Sequence, residues 1–307
     1  MRPWGLAVSL LCVLSVTVRA QSTPADTTAF RADSTLVLIP VSVTDPSNRY
    51  VLGLEKEHFK LLEDGAPQTI KYFSNEDTPL SIGLLVDVSG SIGRKLDTSR
   101  QAAKEFLKTL NANDEAFLVE FSDEARLSVP LTQKTAMIED QLNQDTSAGL
   151  TAMLDAVHTG LQEMKKAKNP RKALLIISDG GDNNSRYTAT EIESLVREAD
   201  VQIYAMGVFE PALPFGFTTV EISGPRLLSE LSDQTGGRAL AASNARDLPA
   251  VAQRIGLELR NQYLLAYSPA NQSRDGKYRK VQLNLMPPAE LPPLKARWRL
   301  GYYAPNQ

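Results

Sequence analysis

The sequence predicts an α/β fold, a doubly wound and mostly parallel sheet inserted in a small all-β domain built from both flanks of the chain. Three observations predict it. Residues 82–86 and 173–177 are continuous apolar runs, the composition of strands buried on both faces. Between residues 79 and 259, such runs alternate with segments of helical spacing, the order that builds a parallel sheet with helices on both sides. Before and after that stretch the pattern is β-like only.

The elements follow in chain order. Residues 1–20 read as a secretory signal. Arg2 supplies the positive start, 4–18 are largely apolar, and Val18-Arg19-Ala20 offers a small-residue cleavage site before Gln21. The apolar run is shorter than the roughly 20 residues that span a bilayer. The expectation is a secreted or periplasmic protein with no transmembrane segment in the mature chain. Residues 21–34 are a polar, flexible lead-in. An N-terminal β segment over 35–76 contains a strand at 36–45, the turn Asp45-Pro46-Ser47-Asn48, a run ending in the turn Asp64-Gly65, and a strand at 68–73.

The central region, 79–259, opens on the first buried strand. Helices are expected at 95–110, 136–143, 152–167, 189–199, 225–235 and 248–259, the first carrying Ala102, Ala103, Phe106, Leu107 and Leu110 at helical spacing. Strands are expected at 116–121, 126–131, 173–177, 201–208 and 239–241. The C-terminal β segment, 260–305, holds strands at 262–267, 278–285 and 294–302. Neither flank makes a comfortable domain alone. Packing 260–305 with 35–76 covers edges that would otherwise lie open.

Composition removes several chemistries. The only cysteine, Cys12, lies in the signal, so the mature chain forms no disulfide and no thiolate zinc site. Two histidines, His58 and His158, are too few for a three-His catalytic zinc site. Any bound metal must rely mainly on oxygen. The net charge is −3, and loss of Arg2 and Arg19 with the signal makes it more negative. That balance gives no global field for nucleic acid.

The residues that carry chemistry cluster at strand ends. Asp87-Val88-Ser89-Gly90-Ser91 follows the first buried strand directly, at the carboxyl edge where open α/β sheets place ligands. Ser178-Asp179-Gly180-Gly181-Asp182 follows the second, and Gly149-Leu150-Thr151 opens a helix between them. Asp, Ser, Ser, Thr and Asp thus converge on one sheet edge. This is a hard-cation ligand set, suited to Mg²⁺, with Mn²⁺ or Ca²⁺ as alternatives.

Asp87-x-Ser89-x-Ser91, then Thr151, then Asp179-Gly180, resembles the metal-ion-dependent adhesion site of von Willebrand factor type A domains. The flanking segments (Val41 to Asp45, Glu63-Asp64-Gly65, Tyr263 to Pro269, and Gly301 to Pro305) resemble those of bacterial secreted proteins related to this family. The resemblance implies a Rossmann-like sheet over about 80–259. It implies that Ser89 and Ser91 bind metal directly, that Thr151 binds directly or through water, and that Asp87 and Asp179 act mainly through water. It also implies a protein ligand whose Asp or Glu completes the shell. This sequence departs from the pattern at Leu150, where many relatives carry a second glycine.

The expected function is therefore a secreted, non-enzymatic, metal-dependent protein-binding or adhesion module. A metal-assisted hydrolase using the same cation, and a scaffold in which metal is only structural, are the alternatives. No G-x-S-x-G elbow and no G-x-x-x-x-G-K-[ST] phosphate loop is present, and no catalytic residue is assigned. Asp182 reads as a solvated loop residue, with a second metal site as the alternative. Asp155 sits a helical turn beyond Thr151, within reach of the site or plainly on the surface. His58 and His158 read as structural or solvated, and Arg297-Trp298-Arg299 as a solvated strand face. N-terminal sequencing of the exported protein should start at Gln21; an intact Met1 would refute the signal.

Overall fold

A computed structural model describes residues 36–144, 147–208 and 219–306. The expected signal (1–20) and lead-in (21–34) lie outside these residues. The first flank supplies β1 (Val37–Thr44), β2 (Phe59–Glu63), β3 (Ala66–Gln68) and β4 (Ile70–Ser74). The middle of the chain supplies β5 (Leu80–Asp87), α1 (Leu96–Leu107), β6 (Glu115–Phe121), β7 (Ala125–Thr132), α2 (Thr135–Gln141) and α3 (Met153–Met164). It continues with β8 (Arg171–Ile177), α4 (Ala189–Glu198), β9 (Gln202–Val208), α5 (Thr219–Asp233), β10 (Ala239–Ala242) and α6 (Leu248–Arg260). The second flank supplies β11 (Gln262–Tyr267), β12 (Tyr278–Leu285), β13 (Lys295–Trp298) and β14 (Gly301–Tyr303).

The central sheet has the order β10-β9-β8-β5-β6-β7. All pairings are parallel except β6 with β7. Every residue of β5 is buried, so its two faces feed two cores. Leu80, Ile82, Leu84 and Val86 pack with Phe106 of α1 and Ile255 of α6, and Leu85 packs with Val157 of α3, Ile192 of α4 and Leu228 of α5. Gly83 sits on the second face because nothing larger fits. A Cβ there would lie 2.2 Å from the Phe117 ring and 2.6 Å from the Leu174 side chain.

The flanks interleave. One four-stranded sheet has the order β13-β1-β11-β4 and the other β14-β12-β2-β3, so each takes strands from both ends of the chain. All their pairings are antiparallel. Ile39, Val41, Tyr263 and Leu265 from the first sheet share a core with Leu61, Val281 and Leu283 from the second. The buried carboxylate of Glu63 is held at Oε2 by the Tyr267 and Tyr302 hydroxyls, each at 2.8 Å. These tyrosines come from different sheets, and the bridge ties them without a disulfide.

The chain leaves the sandwich after β4 and returns at β11, and Leu264 of β11 is register partner to Ser74. At this junction the Arg171 guanidinium donates to the Thr78 carbonyl at 3.3 Å and to Gln262 Oε1 at 3.4 Å. Arg260 pairs with Asp77 and with buried Asp114.

Three elements differ from the sequence reading. The expected helix at 225–235 begins at Thr219 instead, with Pro225 inside it. Proline suits a first helical turn, where its missing N–H costs nothing, and so invites a start placed too late. The expected strand at 294–302 is two strands in two sheets. The corner is made by Arg299, which is buried rather than a solvated face; its Nε donates to the Gly301 carbonyl at 2.6 Å and its Nη1 to Asp200 at 2.7 Å. The expected strand at 68–73 breaks at Thr69, with β3 and β4 joining opposite sheets. Gly83→Ala is expected to lower unfolding free energy by about 1–3 kcal/mol through overpacking, measurable by urea denaturation.

Candidate functional site

The five expected ligand residues stand on three loops at the carboxyl edge of the central sheet. The β5 loop turns immediately after Asp87. The Ser89 N–H donates back to Asp87 Oδ1 at 2.9 Å, and the Ser89 and Ser91 hydroxyl oxygens lie 2.9 Å apart. Asp87 and Ser89 are fully buried, whereas Ser91 is exposed. The pair thus runs from the sheet edge to solvent.

Backbone bonds stitch this loop to the one before α3. The Gly90 N–H donates to the Gly149 carbonyl at 2.9 Å and the Ala148 N–H to the Val88 carbonyl at 3.1 Å. The Ser147 hydroxyl donates to the Ser89 carbonyl. Gly149 takes φ +85° and a Cβ there would meet the Asp123 carboxylate at 2.4 Å. That carboxylate accepts the Leu150 N–H at 2.7 Å. Thr151 is buried and Leu150 beside it is half exposed.

The loop after β8 closes the set. Asn183 Oδ1 accepts the Thr151 N–H at 2.9 Å, and the Thr151 carbonyl accepts from the Asn183 and Asn184 N–H groups at 3.0 and 3.1 Å. The Ser178 hydroxyl donates to Asp87 Oδ2 at 2.7 Å and accepts the Gly180 N–H at 3.0 Å. Asp179 Oδ1 accepts the Gly181 N–H at 3.2 Å. Gly180 takes φ +82°, and a Cβ there would lie 2.4 Å from the Gly224 carbonyl oxygen in α5. Asp87, Ser89 and Ser91 are joined by these bonds, Asp179 follows the serine that holds Asp87, and Thr151 is tied to the loop after β8 while Ser147, Ala148 and Gly149 before it are tied to the β5 loop.

Burial pushes the Asp87 carboxyl up from 3.8 to about 6; hydrogen bonds from Ser89 and Ser178 pull it down, and the negative charge of Asp179 pushes it up further. The net effect corresponds to about 3 kcal/mol of unfavourable charge burial. Among the described residues no Lys or Arg pairs with this carboxylate. A buried anion beside two hydroxyl oxygens, with a second carboxylate near, is an environment that a hard cation would relieve. Among the described residues no group of three or more His, Cys, Asp or Glu is placed to hold a metal; the donors that fit one here are largely hydroxyls.

The accessory residues resolve individually. Asp155 is buried and accepts the Arg186 and Tyr187 N–H groups at 2.9 and 3.3 Å and Arg186 Nε at 2.9 Å. It anchors the β8–α4 loop to α3. Asp182 is not a solvated loop residue. It is partly buried, burial pushes its carboxyl up, and it accepts the Leu154 N–H in the first turn of α3. His158 stacks on Tyr187 with ring centres 4.3 Å apart. His58 Nδ1 accepts the Glu55 N–H at 2.8 Å. Sequence reading missed Ser178, Asn183 and Asp123. Ser178 was visible as a hydroxyl next to Asp179; the other two carry no local signal.

Residues 82–181 match the model of the von Willebrand factor type A domain. A protein of Borreliella burgdorferi, described as uncharacterized, is 23% identical over 178 residues, 51% of this chain and 52% of that protein. The chain thus spans about half the length of that curated relative. Among solved structures, a von Willebrand factor type A protein from Catenulispora acidiphila is similar with a TM-score of 0.51 and 12% identity, covering 90% of this chain and 74% of that one. Proximal thread matrix protein 1 from the mussel byssus is similar with a TM-score of 0.50 and 18% identity, covering 64% and 51%. At these identities the likeness is one of fold.

The Asp87 carboxyl gives a proton-linked stability. Its folded value lies above its unfolded one, so between about pH 4 and 6 the folded state binds the extra proton. In chelator, stability should fall as pH rises through that window and level off above it. Urea unfolding at pH 4.5 and 6.5 should show a larger loss for wild type than for Asp87→Asn, by up to about 2 kcal/mol; equal losses would refute the linkage.

Proposed function

Since this chain carries a von Willebrand factor type A domain, we propose that it is an exported, non-enzymatic module that binds a protein ligand through a divalent cation held at Asp87, Ser89, Ser91, Thr151 and Asp179. One observation carries the reading. Three loops are hydrogen-bonded into a single unit around a buried, unneutralised Asp87 whose neighbours are hydroxyls. Ser89 and Ser91 would hold the cation directly, Thr151 directly or through water, and Asp87 and Asp179 mainly through water, orienting the hydroxyls. Mg²⁺ is the preferred ion for such neutral and carboxylate oxygens, with Mn²⁺ or Ca²⁺ able to replace it. When bound there, the cation offers a coordination position to an Asp or Glu of the ligand. Leu150, 48% exposed beside Thr151, supplies an apolar rim that would keep water from that contact.

Catalysis is poorly served by the same residues. Both Asp87 oxygens already accept hydrogen bonds, from the Ser89 N–H and the Ser178 hydroxyl, which leaves this carboxylate badly placed to act as a general base. Among the described residues, no helix is long and apolar enough to cross a membrane.

Melting in Mg²⁺, Mn²⁺ or EDTA tests the cation. Wild type should melt several degrees higher with Mg²⁺ than with EDTA, and Asp87→Ala should not respond; identical responses would overturn the site. Capture of envelope or extracellular proteins on the immobilised chain tests the ligand. Capture should be released by EDTA and weakened by Leu150→Asp. Chelator-resistant capture would leave the cation a structural role, and phosphoester turnover would favour the hydrolase.

A further inference from the structure

The end of the molecule opposite the candidate metal loops holds a second polar feature. A cavity of about 430 Å³ lies between the sandwich and the central sheet, lined by Ser42 and Thr44 of β1, Lys295 and Arg297 of β13, Arg238 just before β10, and Glu258 near the end of α6. Three cationic side chains therefore face one carboxylate.

That carboxylate is fully committed. Glu258 is buried, pairs with Arg238 Nη2, and accepts the Tyr204 hydroxyl at Oε1 and the Tyr50 hydroxyl at Oε2, each at 3.3 Å. The pairing fixes the Arg238 guanidinium, which is only 13% exposed. Its Nε–H is nevertheless buried with no hydrogen-bond acceptor. An unsatisfied buried guanidinium N–H costs free energy comparable to a lost hydrogen bond, more so for a charged group. Lys295 and Arg297 stand on alternate residues of β13 and so project on the same face of their sheet. Among the described residues, the ion-pair contact of Arg297 is with exposed Asp233 at 3.9 Å. The cavity lining thus carries an excess of two positive charges together with the hydroxyl-bearing residues Ser42 and Thr44.

We propose that this cavity is a binding site for a small doubly charged oxyanion, a phosphate monoester or a dicarboxylate, that bridges Arg238 to the Lys295–Arg297 strand. An oxyanion accepts from guanidinium N–H groups in the forked geometry that arginine presents, and two negative charges match the excess. The site joins residues of both flanking and central parts of the chain, so its occupant binds only the fully assembled fold. It does not depend on the cation proposed above.

Isothermal titration of the full mature chain with inorganic phosphate and, separately, with succinate, at constant ionic strength in EDTA, tests the site. Saturable one-to-one binding of at least one probe is expected, and the probe that binds distinguishes phosphate from dicarboxylate chemistry. Lys295→Gln and Arg297→Gln, both exposed side chains, should each weaken binding about tenfold, the loss of one charge-assisted hydrogen bond, without changing the melting temperature in probe-free buffer. Asp87→Ala should bind as wild type. Absence of saturable binding by both probes, or unchanged binding by the Lys295→Gln/Arg297→Gln double variant, would overturn the proposal. So would binding lost in Asp87→Ala, which would move the anion to the metal loops.

Discussion

Strand β11 lies between β1 and β4 and is hydrogen-bonded to both. Without residues 262–267, β1 and β4 have no bond to each other, and that sheet falls into two unconnected pieces, β13-β1 and β4. The same six residues are buried along their whole length, and they carry Tyr263 and Tyr267, whose rings and hydroxyls reach into the second sheet's territory. Gln262 begins the strand and donates to Ser42 and Tyr204 while accepting from Arg171. One end of β11 therefore seals the sandwich to the base of the central sheet. The cavity with its three cations exists because that seam brings β1 and β13 against α6 and β10.

At the other end of the central sheet, rigidity has a different source. The loops that carry Asp87, Thr151 and Asp179 hold each other mainly by backbone hydrogen bonds, with Asn183 and Ser178 as side-chain ties. Glycines at 149 and 180 permit close approach where any Cβ would meet Asp123 or Gly224. This preorganisation is costly for the protein alone. It buries Asp87 without a positive partner, and a site that is stable only in part until its ligand arrives gains stability on binding in proportion. The two ends share the sheet but no chemistry: hydroxyls and acids crowd one, guanidinium and ammonium groups the other.

Much of this was legible in the chain itself, and the reasons are local. The apolar runs 82–86 and 173–177 declare buried parallel strands because no charged or polar side chain interrupts them, and Asp87-x-Ser89-x-Ser91 declares its place because it follows one of them without a gap. The β11 and β12 boundaries were readable as uninterrupted strand patterns. What escaped depended on distant partners. Alternation over 294–302 says which side chains share a face and nothing about which sheet they join, so the corner at Arg299 was invisible until Asp200 and Gly301 stood beside it. Pro225 suggested a helix start because its own chemistry favours one. Asn183 has no motif; its role comes from meeting the Thr151 amide, and the burial of Asp182 depends on a partner, Leu154, 28 positions away.

The interleaving of the flanks also sets an order of events. Ser42 and its partner Gln262 are 220 residues apart in sequence, and pairing at such separation is slow when an unstructured chain must close the loop. The central sheet removes most of that distance. Once it has folded, the residues just before β5 and just after α6 sit side by side, and β4 and β11 meet across a short gap. The inserted region thus acts as a template for the domain that surrounds it. While the chain is emerging, β1 waits with both edges unpaired, a state prone to pair with other chains. The interval of greatest exposure to aggregation ends only when β11 and β13 have been made and have paired with the two edges of β1.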